Sequence, residues 1–216
     1  MVCAVIGAGP GIGLSVARRF GRAGMKVALL ARRQQEIDAM ASTLANEGIG
    51  ARAWGCDAER ASSISDALDL VELDLGTVDV LIYNAAVVKR GGPLEVGAEQ
   101  MVRELRVDVV GLLVAAQKVV PAMRAQKRGT ILVTGGGQAL DPWPQMTSLA
   151  VGKAACRSLA LVLHKELAPL GVHAATVTVC GLVERGGRFD PDKLAEVFWE
   201  LHEQPAGKFE AERVIR

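Results

Sequence analysis

The sequence lacks most of the features that mark a secreted, membrane or nucleic-acid-binding protein. Its formal net charge is only +1, and its two arginine pairs, at 18–19 and 32–33, are too short to form a basic patch. No apolar run reaches the roughly 18 residues that a membrane span requires. The four cysteines form no CxxC pair, which argues against a zinc site or a disulfide framework. These absences predict a cytoplasmic protein that binds neither nucleic acid nor membrane.

Aromatic residues are also scarce, at 4% of the chain, although half of all residues are hydrophobic and 24 are glycine. A core of Ala, Val and Leu with many glycine turns is typical of a compact α/β domain. The 216 residues are enough for one sizeable core and too few for two ordinary enzyme domains. We therefore expect one domain over residues 1–216.

Short apolar runs alternate with longer helical patterns along the chain. The predicted strands are Val2–Ile6, Lys26–Ala31, Ala51–Cys56, Val78–Tyr83, Thr130–Thr134 and Val172–Val179. The predicted helices cover about 11–24, 34–47, 61 onward, 98–127, 145–170 and 191–202, and 208–215 is a candidate seventh strand. Uniformly apolar strands that are each followed by a helix indicate a parallel sheet covered on both faces. The predicted fold class is thus α/β, a Rossmann-type doubly wound parallel sheet in a single domain.

The helix predicted at 98–127 carries two apolar stripes instead of one. One stripe contains Val102 and Leu105, and the other contains Val107 and Val110. A helix that is apolar on several sides must be buried on several sides. We expect a homodimer or homotetramer that packs through this helix and the next one. The alternative is that loops of the same chain cover the second stripe.

A glycine-rich turn follows the first predicted strand and opens a helix. The turn places Gly7, Gly11 and Gly13 in a GxxxGxG spacing, with Ile12 at the entry to the helix. Such glycines let backbone N–H groups approach a pyrophosphate at the positive end of a helix. The position of the turn in a βαβ unit favours dinucleotide binding over a purely structural turn.

The residues after the second predicted strand indicate which dinucleotide binds. An acidic residue there would accept hydrogen bonds from the adenosine ribose of NAD, but the chain has Arg32 and Arg33 and no acid before Glu36. Two guanidinium groups suit a 2′-phosphate, so the sequence favours NADP over NAD. The alternative is a solvated helix start, although arginine at that end opposes the helix dipole.

These residues together resemble the short-chain dehydrogenase/reductase family over nearly the whole chain. The shared motifs are GAGPGIG at 7–13, Cys56-Asp57, YNAA at 83–86, Lys153, and CGLV at 180–183. The resemblance implies hydride transfer between NADP and a small-molecule carbonyl or alcohol substrate. It further implies the positions of the cofactor-binding residues, with Asp57 at the adenine, Asn84 and Ala85 along the adenosine ribose, Lys153 at the nicotinamide ribose, and Gly181 to Val183 at the carboxamide.

The chain departs from the family at the catalytic tetrad of Asn, Ser, Tyr and Lys. Matching of the motifs places Asp108, Gly136 and Leu149 at the first three positions and keeps only Lys153. A leucine donates no proton and a glycine has no side chain, so the usual acid–base step is lost. The TGGG and LDP motifs after the fifth strand also resemble those of a divergent subgroup without this tyrosine. Lys153 and Asp108 are the remaining catalytic candidates, expected to form a buried ion pair that relays protons or serves structure alone.

Two hypotheses follow from this pattern. The first is an NADP(H)-dependent oxidoreductase with an atypical active site. The second is a catalytically inactive protein that binds NADP(H) as a sensor or scaffold. The sole tyrosine, Tyr83, ends the fourth predicted strand, where we expect it to pack beside the cofactor. Thr134 precedes Gly136 by two residues, and its side chain is predicted to point either into the site or into the core.

Overall fold

Seven strands form one parallel sheet in the computed structural model, which describes residues 1–216. The strands are β1 (Val2–Ile6), β2 (Lys26–Ala31), β3 (Ala51–Gly55), β4 (Val78–Tyr83), β5 (Gly129–Gly136), β6 (Val172–Val179) and β7 (Glu212–Ile215). The helices are α1 (Ile12–Arg22), α2 (Gln34–Asn46), α3 (Ala61–Leu75), α4 (Ala98–Leu105), α5 (Gly111–Gln126), α6 (Thr147–Leu167) and α7 (Pro191–His202). The strand order β3-β2-β1-β4-β5-β6-β7 confirms the predicted single-domain Rossmann-type fold and the seventh strand.

The apolar strands are buried because helices cover both faces of the sheet. Every residue of β1 and of β6 is buried. Two apolar clusters of 25 residues each lie on the two sides of the sheet, so both faces are covered to a similar extent. Helices α3, α5 and α6 contribute to one cluster, and α1, α2 and α7 contribute to the other. This two-sided burial explains why the strands have no polar alternation.

The chain reverses its direction of winding between β1 and β4. The register pairs Ile6 of β1 with Leu30 of β2 on one side and with Tyr83 of β4 on the other. The connections that leave the carboxyl ends of β1 and β4 run to opposite faces of the sheet, which opens a crevice between them. Ligands of doubly wound sheets bind in this crevice. Strand β5 is longer than predicted and ends at Gly136, beside Val179 of β6.

The helix predicted at 98–127 is found over residues 98–126, but it contains a π-helical turn that was not predicted. A π-helical turn, Arg106–Val110, separates α4 from α5. A π turn holds one residue more than an α turn and therefore shifts the faces of the helix before it relative to those after it. Leu112 of α5 is fully buried, whereas Val110 of the π turn and Leu113 of α5 remain exposed.

Candidate functional site

The glycine turn after β1 is held tightly against the end of β4. Gly7 has a φ angle of +84°, and a β-carbon there would lie 2.3 Å from the backbone nitrogen of Ala85. A β-carbon at Gly13 would lie 3.1 Å from the carbonyl oxygen of Gly7, whereas one at Gly11 would meet nothing within 4 Å. Gly7 and Gly13 are therefore required for close backbone packing, and Gly11 faces open space. Helix α1 begins after Gly11 with no side-chain cap and no acidic residue in its first turn, so its positive end remains available to an anion.

A cleft of about 290 Å³ lies along the carboxyl ends of β1, β2 and β4. Its lining includes six of the predicted cofactor-binding residues: Gly7, Arg32, Arg33, Asp57, Asn84 and Ala85. The Arg33 guanidinium contacts the Glu36 carboxylate at 2.9 Å, and both side chains are largely exposed. The Asp57 carboxylate accepts a hydrogen bond of 3.1 Å from the backbone of Glu59. This end of the cleft thus combines two guanidinium groups with a fixed carboxylate.

A second cavity, of about 870 Å³, continues from this cleft across the sheet edge. The predicted residues along it are Ile12, Asn84, Lys153, Gly181 and Val183. Asn84 and Ala86 line both spaces, which therefore adjoin each other above β1, β4, β5 and β6, and we call the two together the groove. Of the predicted residues, Gly11, Gly13 and Asp108 line neither space.

A chain of hydrogen bonds crosses the floor of the groove. Asn84 donates through Nδ2 to the carbonyl oxygen of Gly7 at 2.8 Å and accepts from the Thr134 hydroxyl at 2.8 Å. Lys153 donates through Nζ to the carbonyl oxygen of Thr134 at 2.7 Å. These bonds join the glycine turn, the ends of β4 and β5, and helix α6. The threonine side chain therefore points towards the site, where it orients the amide of Asn84, a role that the sequence left open between site and core.

The π turn brings Asp108 under helix α6. The Tyr83 hydroxyl donates to the carbonyl oxygen of Val107 at 2.5 Å, which connects the end of β4 to the π turn. Tyr83 is buried behind the groove and does not line either space, so the expectation that it packs beside the cofactor was wrong. No simple sequence signal marks this bond, because it depends on the extra residue in the turn.

The Asp108 carboxylate is 1% exposed and only partly satisfied by hydrogen bonds. Its Oδ1 accepts from the backbone N–H of Val87 at 2.8 Å, whereas Oδ2 has no partner. Burial raises the pKa of Asp108 to about 6, and the Val87 N–H and the Lys153 charge offset part of that rise. Burial lowers the pKa of Lys153. The two side chains influence each other through space but form no direct ion pair, because Lys153 turns to the carbonyl of Thr134 instead.

Leu149 and Gly136 lie beside Lys153 in the second cavity. Leu149 is one helical turn before Lys153 on α6 and is 9% exposed. Gly136 has extended backbone, with φ of −155°, and a β-carbon there would lie 3.5 Å from Cγ of Lys153. This part of the cavity therefore presents an aliphatic side chain and a backbone segment without a side chain.

The cysteines and the metal-ligating residue types add little reactive chemistry. Cys3, Cys56 and Cys156 are buried as free thiols, and Cys180 is partly exposed along the second cavity. No three His, Cys, Asp or Glu residues are grouped so that they could hold a metal ion. None of the helices has both the length and the apolar character needed to cross a membrane.

Comparison with solved structures identifies similar folds with bound nucleotides. A metagenomic short-chain oxidoreductase in complex with NADP is 27% identical with a TM-score of 0.92, and the match covers 100% of this chain and 96% of that one. An NADPH-bound short-chain oxidoreductase from Pseudomonas aeruginosa PAO1, described as containing an atypical catalytic center, has a TM-score of 0.90 over 99% of this chain and 94% of that one. At 23% identity, the second similarity is one of fold alone.

Sequence comparison leads to the same group of proteins. The 2-(S)-hydroxypropyl-CoM dehydrogenase 3 of Xanthobacter autotrophicus is 28% identical over 215 residues, which are 96% of this chain and 83% of that protein. The dehydrogenase/reductase SDR family member 4 of Bos taurus is 32% identical over 163 residues, which are 75% of this chain and 58% of that protein. Residues 1–186 match the family model for short chain dehydrogenase. The chain therefore belongs to the short-chain dehydrogenase/reductase family of oxidoreductases.

Proposed function

We propose that residues 1–216 form one NADP(H)-binding domain that reduces or oxidises a small carbonyl or alcohol substrate through an atypical active site. The observation that carries this proposal is the groove, which has two arginines at one end and the Asn84–Thr134–Lys153 hydrogen bonds at the other. The NADP complex of the 27% identical structural neighbour supports the choice of cofactor.

The lining of the groove fits such a cofactor from end to end. Arg32 and Arg33 would hold the 2′-phosphate, and Asp57 would lie at the adenine. The uncapped start of α1, with open space at Gly11, suits the pyrophosphate. When bound, the reduced cofactor supplies a hydride for the reaction. We assign Lys153 to the nicotinamide ribose. The charge of Lys153 would then lie inside the second cavity.

The adenosine ribose and the carboxamide complete this assignment. Asn84 and Ala85 line the first cleft and would follow the ribose, while Gly181 and Val183 line the far wall of the second cavity and would hold the carboxamide. Gly7, Ile12 and Gly13 would shape the turn around the phosphates. Asp108 lies behind the groove, and we propose that its role there is to position α6 and to exchange protons indirectly.

The second candidate function is a non-catalytic NADP(H) sensor or scaffold within a divergent subgroup of the family. Leu149 and Gly136 favour it, because they leave the reacting end of the groove without a hydroxyl donor while the cofactor-binding residues remain in place. General acid–base catalysis typically contributes about 10²- to 10⁴-fold to a rate. NADPH binding without turnover of any carbonyl would favour this alternative over the enzyme.

Calorimetric titration with NADPH and NADH tests the cofactor assignment. We expect Arg32→Ala/Arg33→Ala to weaken NADPH binding roughly 10- to 100-fold, because charge-assisted hydrogen bonds are worth about 1.5–3 kcal/mol. NADH, which lacks the 2′-phosphate, should bind both proteins equally. Arg124→Ala removes an exposed arginine at the end of α5, away from the groove, and is the matched control. Failure of both nucleotides to bind would refute the proposal.

We also propose a homodimer or homotetramer that packs through α4, α5 and α6. Five apolar side chains on these helices and the π turn are at least 38% exposed: Val102, Val110, Leu113, Val151 and Val162. Exposed apolar side chains on helices that contact one another suit burial against a second subunit. Light scattering after size-exclusion chromatography tests the assembly, and a monomer that persists at high protein concentration would contradict it.

A further inference from the structure

The second cavity is lined by exposed apolar side chains as well as by the charged residues Asp141, Arg188 and Arg216. Val88, Leu140, Trp143 and Leu182 all line the cavity, and their exposed fractions range from 40% to 77%. They come from three different loops, those that follow β4, β5 and β6. The loop after β5 is fixed because the backbone N–H of Trp143 donates to Oε1 of Gln138 at 2.9 Å. Exposed apolar side chains that converge on one opening mark a binding site for an apolar ligand.

The inner end of the same cavity offers no free proton donor of the hydroxyl type. Leu149 and Gly136 have none, and the Thr134 hydroxyl already donates to Asn84. The Lys153 ammonium donates to a backbone carbonyl and supplies positive charge. A carbonyl oxygen bound here would therefore meet a cation but no hydroxyl placed to protonate it.

This arrangement discriminates between classes of hydride acceptor. An ordinary ketone becomes an alkoxide, which is nearly as basic as hydroxide, whose conjugate acid, water, has a pKa of about 15.7. A quinone becomes a phenolate, whose conjugate acid has a pKa of about 10. The phenolate is thus roughly five to six orders of magnitude less basic than the alkoxide. Its formation and release therefore do not require a proton donor from the protein.

We propose that the cavity is a quinone site, an inference that rests on the proposed function of the groove. The bound para-quinone gains one hydride, with its two electrons, from the reduced nicotinamide, which is oxidised. The hydride adds to one carbonyl oxygen, so that this C=O becomes C–OH. The ring becomes aromatic and the other C=O becomes C–O⁻, which gives the hydroquinone monoanion. The Lys153 charge stabilises this anion, which takes its proton from water at the open mouth and leaves as the hydroquinone. Val88, Leu140, Trp143 and Leu182 hold the planar apolar ring.

The first test compares 1,4-naphthoquinone with 1-tetralone, a simple ketone on the same bicyclic frame. Full-length protein with NADPH should reduce the quinone and leave the ketone almost unchanged. The diagnostic variant is Gly136→Ser/Leu149→Tyr, which restores both hydroxyls. Serine fits at 136 because the backbone is extended and the new β-carbon meets Lys153 only at ordinary contact distance.

We expect this variant to raise kcat/KM for the ketone by about 10²- to 10⁴-fold, the usual range of general acid catalysis. The ratio of kcat/KM for the ketone to kcat/KM for the quinone should therefore rise at least tenfold. Equal activity of the original protein on both compounds would overturn the proposal. An unchanged ketone rate in a folded double variant would overturn it as well, because the missing hydroxyls would then not be what limits the ketone.

The second test measures binding without turnover. Titration with 1,4-naphthoquinone should quench tryptophan fluorescence saturably, and Trp143→Phe should abolish the saturable part. Identical quenching in both proteins would overturn the quinone site, as would a Trp143 covered by a partner subunit. Calorimetry with NADPH separates the two proposals. Quinone binding without NADPH binding would refute only the cofactor assignment. NADPH binding without saturable quenching would refute only the quinone site.

Discussion

The Gly152→Ala substitution tests whether Asp108 lies under helix α6 as described. A β-carbon at position 152 would lie 2.2 Å from Oδ2 of Asp108 and 3.0 Å from its Cβ and Cγ. The carboxylate would have to move by about 1 Å to reach normal contact distance. That movement would disturb the 2.8 Å hydrogen bond from the Val87 N–H to Oδ1.

Two opposing effects set the size of the change. Alanine is favoured over glycine in a helix interior by about 1 kcal/mol. Overpacking of a filled site costs about 1–3 kcal/mol, and loss of the hydrogen bond adds about 1 kcal/mol or more. We therefore expect Gly152→Ala to lower the free energy of unfolding by roughly 1–3 kcal/mol, opposite to the sign that helix propensity alone predicts.

Urea unfolding followed by circular dichroism measures this change, and a double-mutant cycle assigns its cause. In an Asp108→Ala background the 2.2 Å contact is absent and only the Cβ approach of 3.0 Å remains. The same glycine substitution should then cost about 0.5 kcal/mol or less. A Gly152→Ala protein at least as stable as the original would refute the reasoning. Equal destabilisation in both backgrounds would show that Asp108 is not the neighbour that matters.

Three further predictions concern stability. Tyr83→Phe removes the hydroxyl that donates to Val107 and should cost about 1–3 kcal/mol in urea unfolding, so an unchanged midpoint would contradict the bond. The pKa of Asp108 is about 6 in the folded chain against an ordinary 3.8, so its contribution to stability is greatest below pH 4 and is lost as the pH rises through 6. Asp108→Asn should therefore gain stability relative to the original protein by roughly 3 kcal/mol between pH 4 and 7, at 1.36 kcal/mol per pKa unit, and a constant difference across that range would refute it. Gly7→Ala should unfold at a clearly lower temperature, because φ is +84° and the new β-carbon meets backbone at 2.3 Å, whereas Gly50→Ala, with nothing within 4 Å, should have little effect.

The fold was predictable because its signals are local and repeated. Each strand is a short apolar run that helices must cover on both sides, and most helices end near a glycine. The π turn at 106–110 was not predictable by the same means. A π turn has no composition of its own, so the apolar pattern of 98–127 looked like one helix. Because of the π turn, the apolar stripes of α4 and α5 are rotated relative to each other.

The site was predictable where sequence motifs of fixed spacing determine its geometry. Gly7 and Lys153 lie in motifs of fixed spacing, and both are found along or beneath the groove. The partners of Lys153 were not predictable, since the choice between the Asp108 carboxylate and the Thr134 carbonyl depends on side-chain direction across three elements. The hydrogen bond of Tyr83 was missed for the same reason, because it joins the end of β4 to a carbonyl in the π turn.

Because three of the four thiols are buried and one is partly exposed, the chain suits site-specific labelling. Cys3, Cys56 and Cys156 are buried, and burial raises the pKa of Cys56 to about 12 and that of Cys156 to about 11, so these thiols react slowly. Cys180 alone is partly exposed, and it lies on the wall of the large cavity. A thiol-directed fluorophore or spin label would therefore attach at a single position without any mutagenesis. Its signal would report, in real time, whether that cavity is empty or filled.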